Sequence, residues 1–75
     1  MMNHLFKYSI EGRKPIELIY LNNSGDISYR LVIIRKINLH NVLVYDLQKQ
    51  QVRTFNIDGI LSVAKPTRQR GAINA

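Results

Sequence analysis

Hydrophobic and polar residues alternate along most of this chain, and short polar segments interrupt the alternation. A period of two is typical of a β-strand, because successive side chains point to opposite faces of a sheet. The pattern predicts five strands, over residues 16–22, 27–37, 42–47, 52–57 and 60–64. Asn, Asp, Ser and Gly are frequent in the segments between these strands, and such residues favour tight turns.

The residues before the first strand have a different pattern. Apolar side chains within residues 3–11 fall near helical spacing, so this segment is compatible with one short amphipathic helix. Gly12 and Pro15 would end that helix, because both residue types interrupt regular structure.

Five short strands are too few for a two-sheet sandwich of ordinary size. We therefore predict a mainly β fold, with one strongly bent five-stranded sheet or a small barrel, preceded by the short helix. Residues 1–64 form this single domain, and residues 65–75 are expected to be a basic, disordered tail. Near the start of the second strand, we expect Ile27 and Tyr29 to lie on the face that packs in the core.

The chain is basic, and its charge is divided between the domain and the tail. Its 75 residues contain eleven Lys or Arg and five Asp or Glu, which gives a net charge of +6. Residues 1–64 contribute +3 from eight basic and five acidic side chains, and the remaining +3 comes from three basic side chains in residues 65–75. Such a charge is typical of proteins that bind phosphate-bearing partners.

The composition also limits the chemistry and the compartment. The absence of cysteine excludes disulfides, thiolate nucleophiles and cysteine-based zinc sites. No apolar stretch in the sequence is long enough for a signal peptide or a membrane span. We therefore expect a soluble, cytoplasmic protein.

Residues that catalyse reactions or bind metals are sparse and scattered. The five carboxylates show no spacing that suggests a paired acid and base. His4 and His40 each lack a second metal ligand at the short spacing typical of zinc sites. The four glycines form no phosphate-binding motif. We predict that the protein is not an enzyme and uses no metal or cofactor.

Basic side chains and nearby aromatic rings are the residues best suited to bind a phosphate-bearing ligand. Lys and Arg neutralise phosphates, and aromatic rings stack on bases. The candidate binding residues are Arg30, Arg35, Lys36, Tyr45, Arg53, Arg68 and Arg70.

The position of Arg53 in its strand limits where its side chain can lie. It shares strand parity with Phe55, whose large ring we expect in the core. Burial of an unpaired arginine is costly. Arg53 should therefore lie at the mouth of the barrel, pair with an acid or face a ligand.

Three parts of the chain resemble a known family, namely residues 53–63, residues 10–20, and residues 23–26 with Arg30, which match that family's turn and strand after its first strand. Residues 53–63, RTFNIDGILSV, resemble the closing signature of WYL domains, which runs Arg-x-Phe, an aliphatic residue, Asp, Arg, Ile and a final Val. Residues 10–20, IEGRKPIELIY, are similar to the end of that family's opening helix, its basic loop and its first strand. The chain departs from the family at residues 40–42, where His-Asn-Val stand in place of Trp-Tyr-Leu, and at Gly59, which stands in place of an arginine.

The resemblance covers residues 5–64 and implies a divergent, stand-alone WYL-like domain with a small Sm-like or Src-homology-like barrel. WYL domains are usually fused to winged-helix DNA-binding domains in bacterial transcription regulators or found near phage-defence genes. Nucleotides or nucleic acids are the ligands proposed for them. The family position that Arg53 matches is basic and belongs to the proposed ligand surface.

Charge and resemblance together predict a non-catalytic module that binds nucleic acid or a nucleotide-like anionic ligand, in bacterial or phage-related regulation. Arg30, Arg53 and the neighbouring Arg35 and Lys36 would contact phosphates, and Tyr45 or Tyr29 would stack on a base. The alternative is a protein-interaction or homodimerisation module. It would use an exposed strand edge or the surplus apolar side chains of residues 31–34.

Overall fold

A computed structural model describes residues 4–66 of the chain. Helix α1 comes first and is followed by five strands, which form one antiparallel sheet in the order β4-β3-β2-β1-β5. The elements are α1 His4–Gly12, β1 Ile16–Leu21, β2 Ile27–Ile37, β3 Asn41–Asp46, β4 Gln51–Asn56 and β5 Ile60–Ala64. The predicted mainly β fold with a short preceding helix is confirmed.

The sheet is strongly bent but not closed. β4 and β5 lie at its two edges, joined by the short 3-10 turn Ile57–Gly59. The bend brings the end of β4 over β1, although two strands separate them in the sheet order. The backbone N–H of Asn56 donates a hydrogen bond of 3.0 Å to the Tyr20 hydroxyl, and the Tyr20 and Phe55 rings pack with centroids 4.4 Å apart. Of the two predicted forms, the structure has the open, bent sheet.

The core lies on the inner, concave face of the sheet, beneath α1. Its buried apolar side chains are Phe6, Ile16, Leu18, Tyr20, Val32, Ile34, Val42, Val44 and Phe55. Phe55 is 2% exposed, which confirms the prediction that its ring is part of the core.

The predicted orientation of β2 is wrong. Ile27 is 64% exposed and Tyr29 39%, whereas Val32 and Ile34 are buried. The register explains the difference, because Val32 pairs with Ile16, a buried residue of β1, and paired residues share a face. Both faces of β2 are apolar over residues 31–34, whereas near its start the inner face carries Ser28 and Arg30, so alternation there favoured the outer face.

Ser9 joins α1 to the sheet. This buried side chain accepts a hydrogen bond of 2.9 Å from the backbone N–H of Ile34 and donates one of 2.7 Å to the carbonyl of Lys14. Buried polar groups need such partners. The end of the helix is thereby held at a fixed position against β2.

The turn between β1 and β2 follows the sequence prediction. The Asn22 side-chain oxygen accepts hydrogen bonds from the backbone N–H groups of Ser24 and Asp26, at 3.0 and 2.9 Å. Gly25 takes a φ of 90°, which glycine adopts without strain. The side chain and the glycine thus fix the first hairpin.

The end of the described chain packs against α1, where the Lys65 ammonium lies 4.6 Å from the centroid of the Tyr8 ring. Most of the predicted tail, including Arg68 and Arg70, lies outside the described residues. Within residues 4–66, no helix has the length and apolar character required to cross a membrane.

Candidate anion-binding sites

The first candidate site is a pair of arginines on the core face, Arg30 of β2 and Arg53 of β4. Their guanidinium carbons lie 5.6 and 5.7 Å from the centroid of the same Phe55 ring. These distances are those of cation–π contacts. The bend of the sheet therefore brings together two predicted binding residues that are 23 positions apart in the chain. We call them the core-face arginine pair.

Asp46 compensates one of these two charges. Its carboxylate, which is 0% exposed, forms an ion pair of 3.5 Å with Arg30, whose side chain is 18% exposed. The other carboxylate oxygen accepts hydrogen bonds from the backbone N–H groups of Gln48 and Lys49, at 3.0 and 3.1 Å. Asp46 thus both neutralises Arg30 and holds the turn from β3 to β4.

Arg53 has no such compensation. Its side chain is half-buried, and within residues 4–66 no carboxylate lies at salt-bridge distance from it. The contact with Phe55 stabilises the guanidinium without neutralising it. The pair therefore holds an excess positive charge. Strand parity correctly indicated that Arg53 points inwards, and the structure places it on the core face beside the ring.

Two other predicted residues, Arg35 and Tyr45, lie at a second site. They line a groove of about 290 Å³ between the end of α1 and β2, together with Ile10, Arg13, Ile33 and Ile34. We call it the helix-end groove. The sequence reasoning missed Arg13 as a site residue, although its place in the basic loop after the predicted helix was the available signal.

The predicted binding residues therefore do not form one surface. Arg30 and Arg53 converge on Phe55, while Arg35 and Tyr45 line the helix-end groove. Lys36 is exposed and lines neither site. Arg68 and Arg70 lie outside the described residues, and the structure places them at neither site.

A third groove, of about 440 Å³, lies at the residue where the resembled family signature has an arginine. Gly59 lines it together with His40 and Asp58. A Cβ atom on Gly59 would lie 2.6 Å from the carbonyl oxygen of Leu21 and 2.8 Å from the Tyr20 ring. Such distances are far below van der Waals contact, so packing excludes an arginine at this position in the present backbone.

Within residues 4–66, no group of three or more His, Asp or Glu side chains is positioned to hold a metal ion.

Comparison with known proteins identifies no relative. No protein-family model matches this chain, and no curated protein matches it. The geometry of the sites and the sequence resemblance are therefore the basis for a proposed function.

Proposed function

We propose that this protein is a non-catalytic, WYL-like module that binds nucleic acid or a nucleotide-like anionic ligand. The observation that carries the proposal is the core-face arginine pair, in which two guanidiniums lie against one ring and, among residues 4–66, only that of Arg30 has a carboxylate partner. A phosphate supplies the missing negative charge, and arginine binds phosphate with two parallel hydrogen bonds.

In this proposal, Arg53 is the direct phosphate contact and Arg30 has a supporting role. Arg30 is held by Asp46 and also donates a hydrogen bond of 3.2 Å to the Ser28 hydroxyl. Its guanidinium is therefore preorganised beside the site, and preorganised charges lose little entropy on binding. The resemblance supports the same assignment, since Arg53 matches a basic position of the family's ligand surface.

The remaining parts of the proposal follow from the ligand and the resemblance. A nucleic acid or nucleotide ligand favours a cytoplasmic location and a role in bacterial or phage-related regulation. A binding role without catalysis agrees with the use of Asp46, whose two oxygens are engaged by Arg30 and the following turn.

The test is binding of a fluorescent single-stranded oligonucleotide at about 50 and about 200 mM salt, where electrostatic binding differs strongly. We expect binding at the lower salt and a marked loss at the higher. Arg53→Gln should weaken binding about tenfold, because a charge-assisted phosphate contact is lost. Lys7→Gln is the matched control, since it removes one charge from an exposed position of α1.

Two results would contradict the proposal. The first is no binding by the unaltered protein at about 50 mM salt, where counterion release favours association most. The second is an equal loss in Arg53→Gln and Lys7→Gln, which would show a response to net charge and no role for the pair.

A second candidate function is self-association or binding of a protein partner. It is supported by the two edge strands of the sheet, β4 and β5, and by exposed apolar side chains on the sheet. These side chains include Leu21, Ile27, Val52 and Leu61. Sedimentation across a concentration series distinguishes the candidates. A monomer that binds oligonucleotide favours the first, and a tight dimer indifferent to it favours the second.

A further inference from the structure

The helix-end groove contains two arginines without acidic partners. Arg13 enters it from the end of α1 and Arg35 from β2. Within residues 4–66, neither arginine has a carboxylate at salt-bridge distance. Two like charges at one groove repel each other, so an anion between them is stabilised by both.

Arg13 reaches the groove through an unusual backbone conformation. Its φ is 54°, in the left-handed region that glycine adopts more readily than other residues. The helix ends in a Schellman motif, because the N–H of Lys14 donates to the carbonyl of Ser9 at 3.1 Å. In that motif the left-handed position is usually glycine, yet Gly12 stands one residue earlier. The chain thus keeps an arginine where glycine is less strained.

Arg35 reaches the groove through a second irregularity. The register pairs Ile34 with Val44 and then Lys36 with Leu43, so Arg35 is the extra residue of a β-bulge in β2. Bulges redirect side chains and are frequent beside functional sites. Two independent departures from regular backbone therefore place two arginines at one groove.

The rest of the groove suits a flat ring. Tyr45 lies opposite Ile33 on the neighbouring strand, and both line the groove with Ile10. Tyrosine rings stack on nucleobases, and the aliphatic residues supply an apolar wall. The hydrogen bonds of Ser9 to Ile34 and Lys14 fix the helix end against β2, so the walls are preformed.

We infer that the helix-end groove binds one phosphate-bearing nucleotide unit, with the phosphate between Arg13 and Arg35 and the base against Tyr45. A volume of about 290 Å³ lies at the lower end of ligand pockets and suits one small ligand. This site is separate from the core-face arginine pair, and the inference does not depend on the function proposed for that pair. The unit is either a free nucleotide or the terminal nucleotide of a strand.

Calorimetric titration of the full chain tests the ligand class. Adenosine 5′-monophosphate should bind more tightly than either adenosine or inorganic phosphate, because only the nucleotide contacts both the arginines and the tyrosine. Oligonucleotides with and without a 5′-phosphate distinguish the two sources of the unit. If only the 5′-phosphorylated strand displaces adenosine 5′-monophosphate, the groove takes a strand end. If the mononucleotide binds more tightly than either strand, the groove takes a free nucleotide.

Substitutions test the site itself. Arg35→Gln should weaken nucleotide binding about tenfold, through the loss of a charge-assisted contact. Lys36→Gln, at the next residue, removes the same charge outside the groove and should leave the affinity within about twofold, as expected of an exposed charge.

Arg13→Gly is a second variant whose loss of binding cannot result from unfolding. It relieves the left-handed strain and should raise the midpoint of urea unfolding while it weakens nucleotide binding about tenfold. Gln50→Gly is its control, because Gln50 has the same φ of 54° in the turn between β3 and β4 and lines no part of the groove. It should stabilise the fold and leave the affinity unchanged.

Three results would overturn the inference. They are equal affinities for adenosine and its monophosphate, unchanged nucleotide binding in both Arg13→Gly and Arg35→Gln, or equal losses in Arg35→Gln and Lys36→Gln. Oligonucleotide binding by Arg53→Gln is a separate measurement that tests the core-face arginine pair. A negative result at the groove therefore does not count against the function proposed for that pair, and the reverse also holds.

Discussion

The two arginine sites differ in how the fold accommodates charge. At the core-face arginine pair, Arg30 is balanced by the buried Asp46, and Arg53 rests on the Phe55 ring. At the helix-end groove, Arg13 and Arg35 have neither kind of contact among the described residues, and irregular backbone positions them. The first site thus contributes to the fold, whereas the second is built at the expense of regular structure. Local backbone strain of this kind is frequent at binding sites.

The largest expected effect concerns the buried carboxylate of the first site. Asp46→Ala should lower the free energy of unfolding by about 3 kcal/mol, because it leaves Arg30 unpaired and two turn N–H groups without their acceptor. Urea denaturation measures the change. Glu11→Ala, at an exposed position of α1, is the control and should stay within about 0.5 kcal/mol. A loss for Asp46→Ala as small as that of the control would contradict the structural role.

The two arginines of the first site should also differ from each other. Arg30→Gln leaves a buried carboxylate without its cation and should cost about 2 kcal/mol of stability. Arg53→Gln removes a cation–π contact and should cost about 0.5–1 kcal/mol. Equal losses in parallel urea titrations would mean that Arg53 has a structural partner of similar strength and is not available to a ligand.

Substitution of Arg13, at the helix-end groove, should raise the free energy of unfolding, whereas the substitutions at the core-face arginine pair should lower it. Arg13→Gly and Gln50→Gly should each raise the free energy of unfolding by about 1 kcal/mol, because glycine takes the left-handed conformation of these two positions without the steric cost of a Cβ atom. A lower stability of Arg13→Gly would show that the Arg13 side chain supports the fold, and the contrast between the sites would disappear.

The smallest expected effect is on salt dependence. If Arg53 neutralises one phosphate of a single strand, Arg53→Gln should reduce the slope of log affinity against log salt by about 0.7. Lys7→Gln should leave the slope unchanged within error. If Arg53→Gln leaves this slope unaltered, Arg53 does not neutralise a phosphate, and any loss of affinity in the variant has another cause.

The fold could be predicted from the sequence because local signals agree with it. Alternation identified the strands, and the Asn22 to Asp26 segment identified the first turn, which the structure forms with side-chain caps. The inner face of β2 could not be predicted, because Ile27 and Ile34 are equally apolar and only pairing with β1 selects between the faces.

The sites were less predictable than the fold. Parity placed Arg53 on the inner face, but its approach to Arg30 depends on the bend of the whole sheet. The groove depends on a left-handed residue after α1 and on a bulge in β2, and neither has a local sequence signature here. Arg13 and Arg35 therefore meet through tertiary structure alone.

The most direct test of the account is an amide chemical-shift map of the full, isotope-labelled chain. The probe is a 5′-phosphorylated single-stranded oligonucleotide at about 50 mM salt. We predict that the largest shifts fall around Arg53 and Phe55, and that shifts around Arg13 and Arg35 accompany them if the groove takes the terminal nucleotide of a strand. An absence of shifts, or shifts confined to the exposed apolar side chains near Ile27, would contradict it.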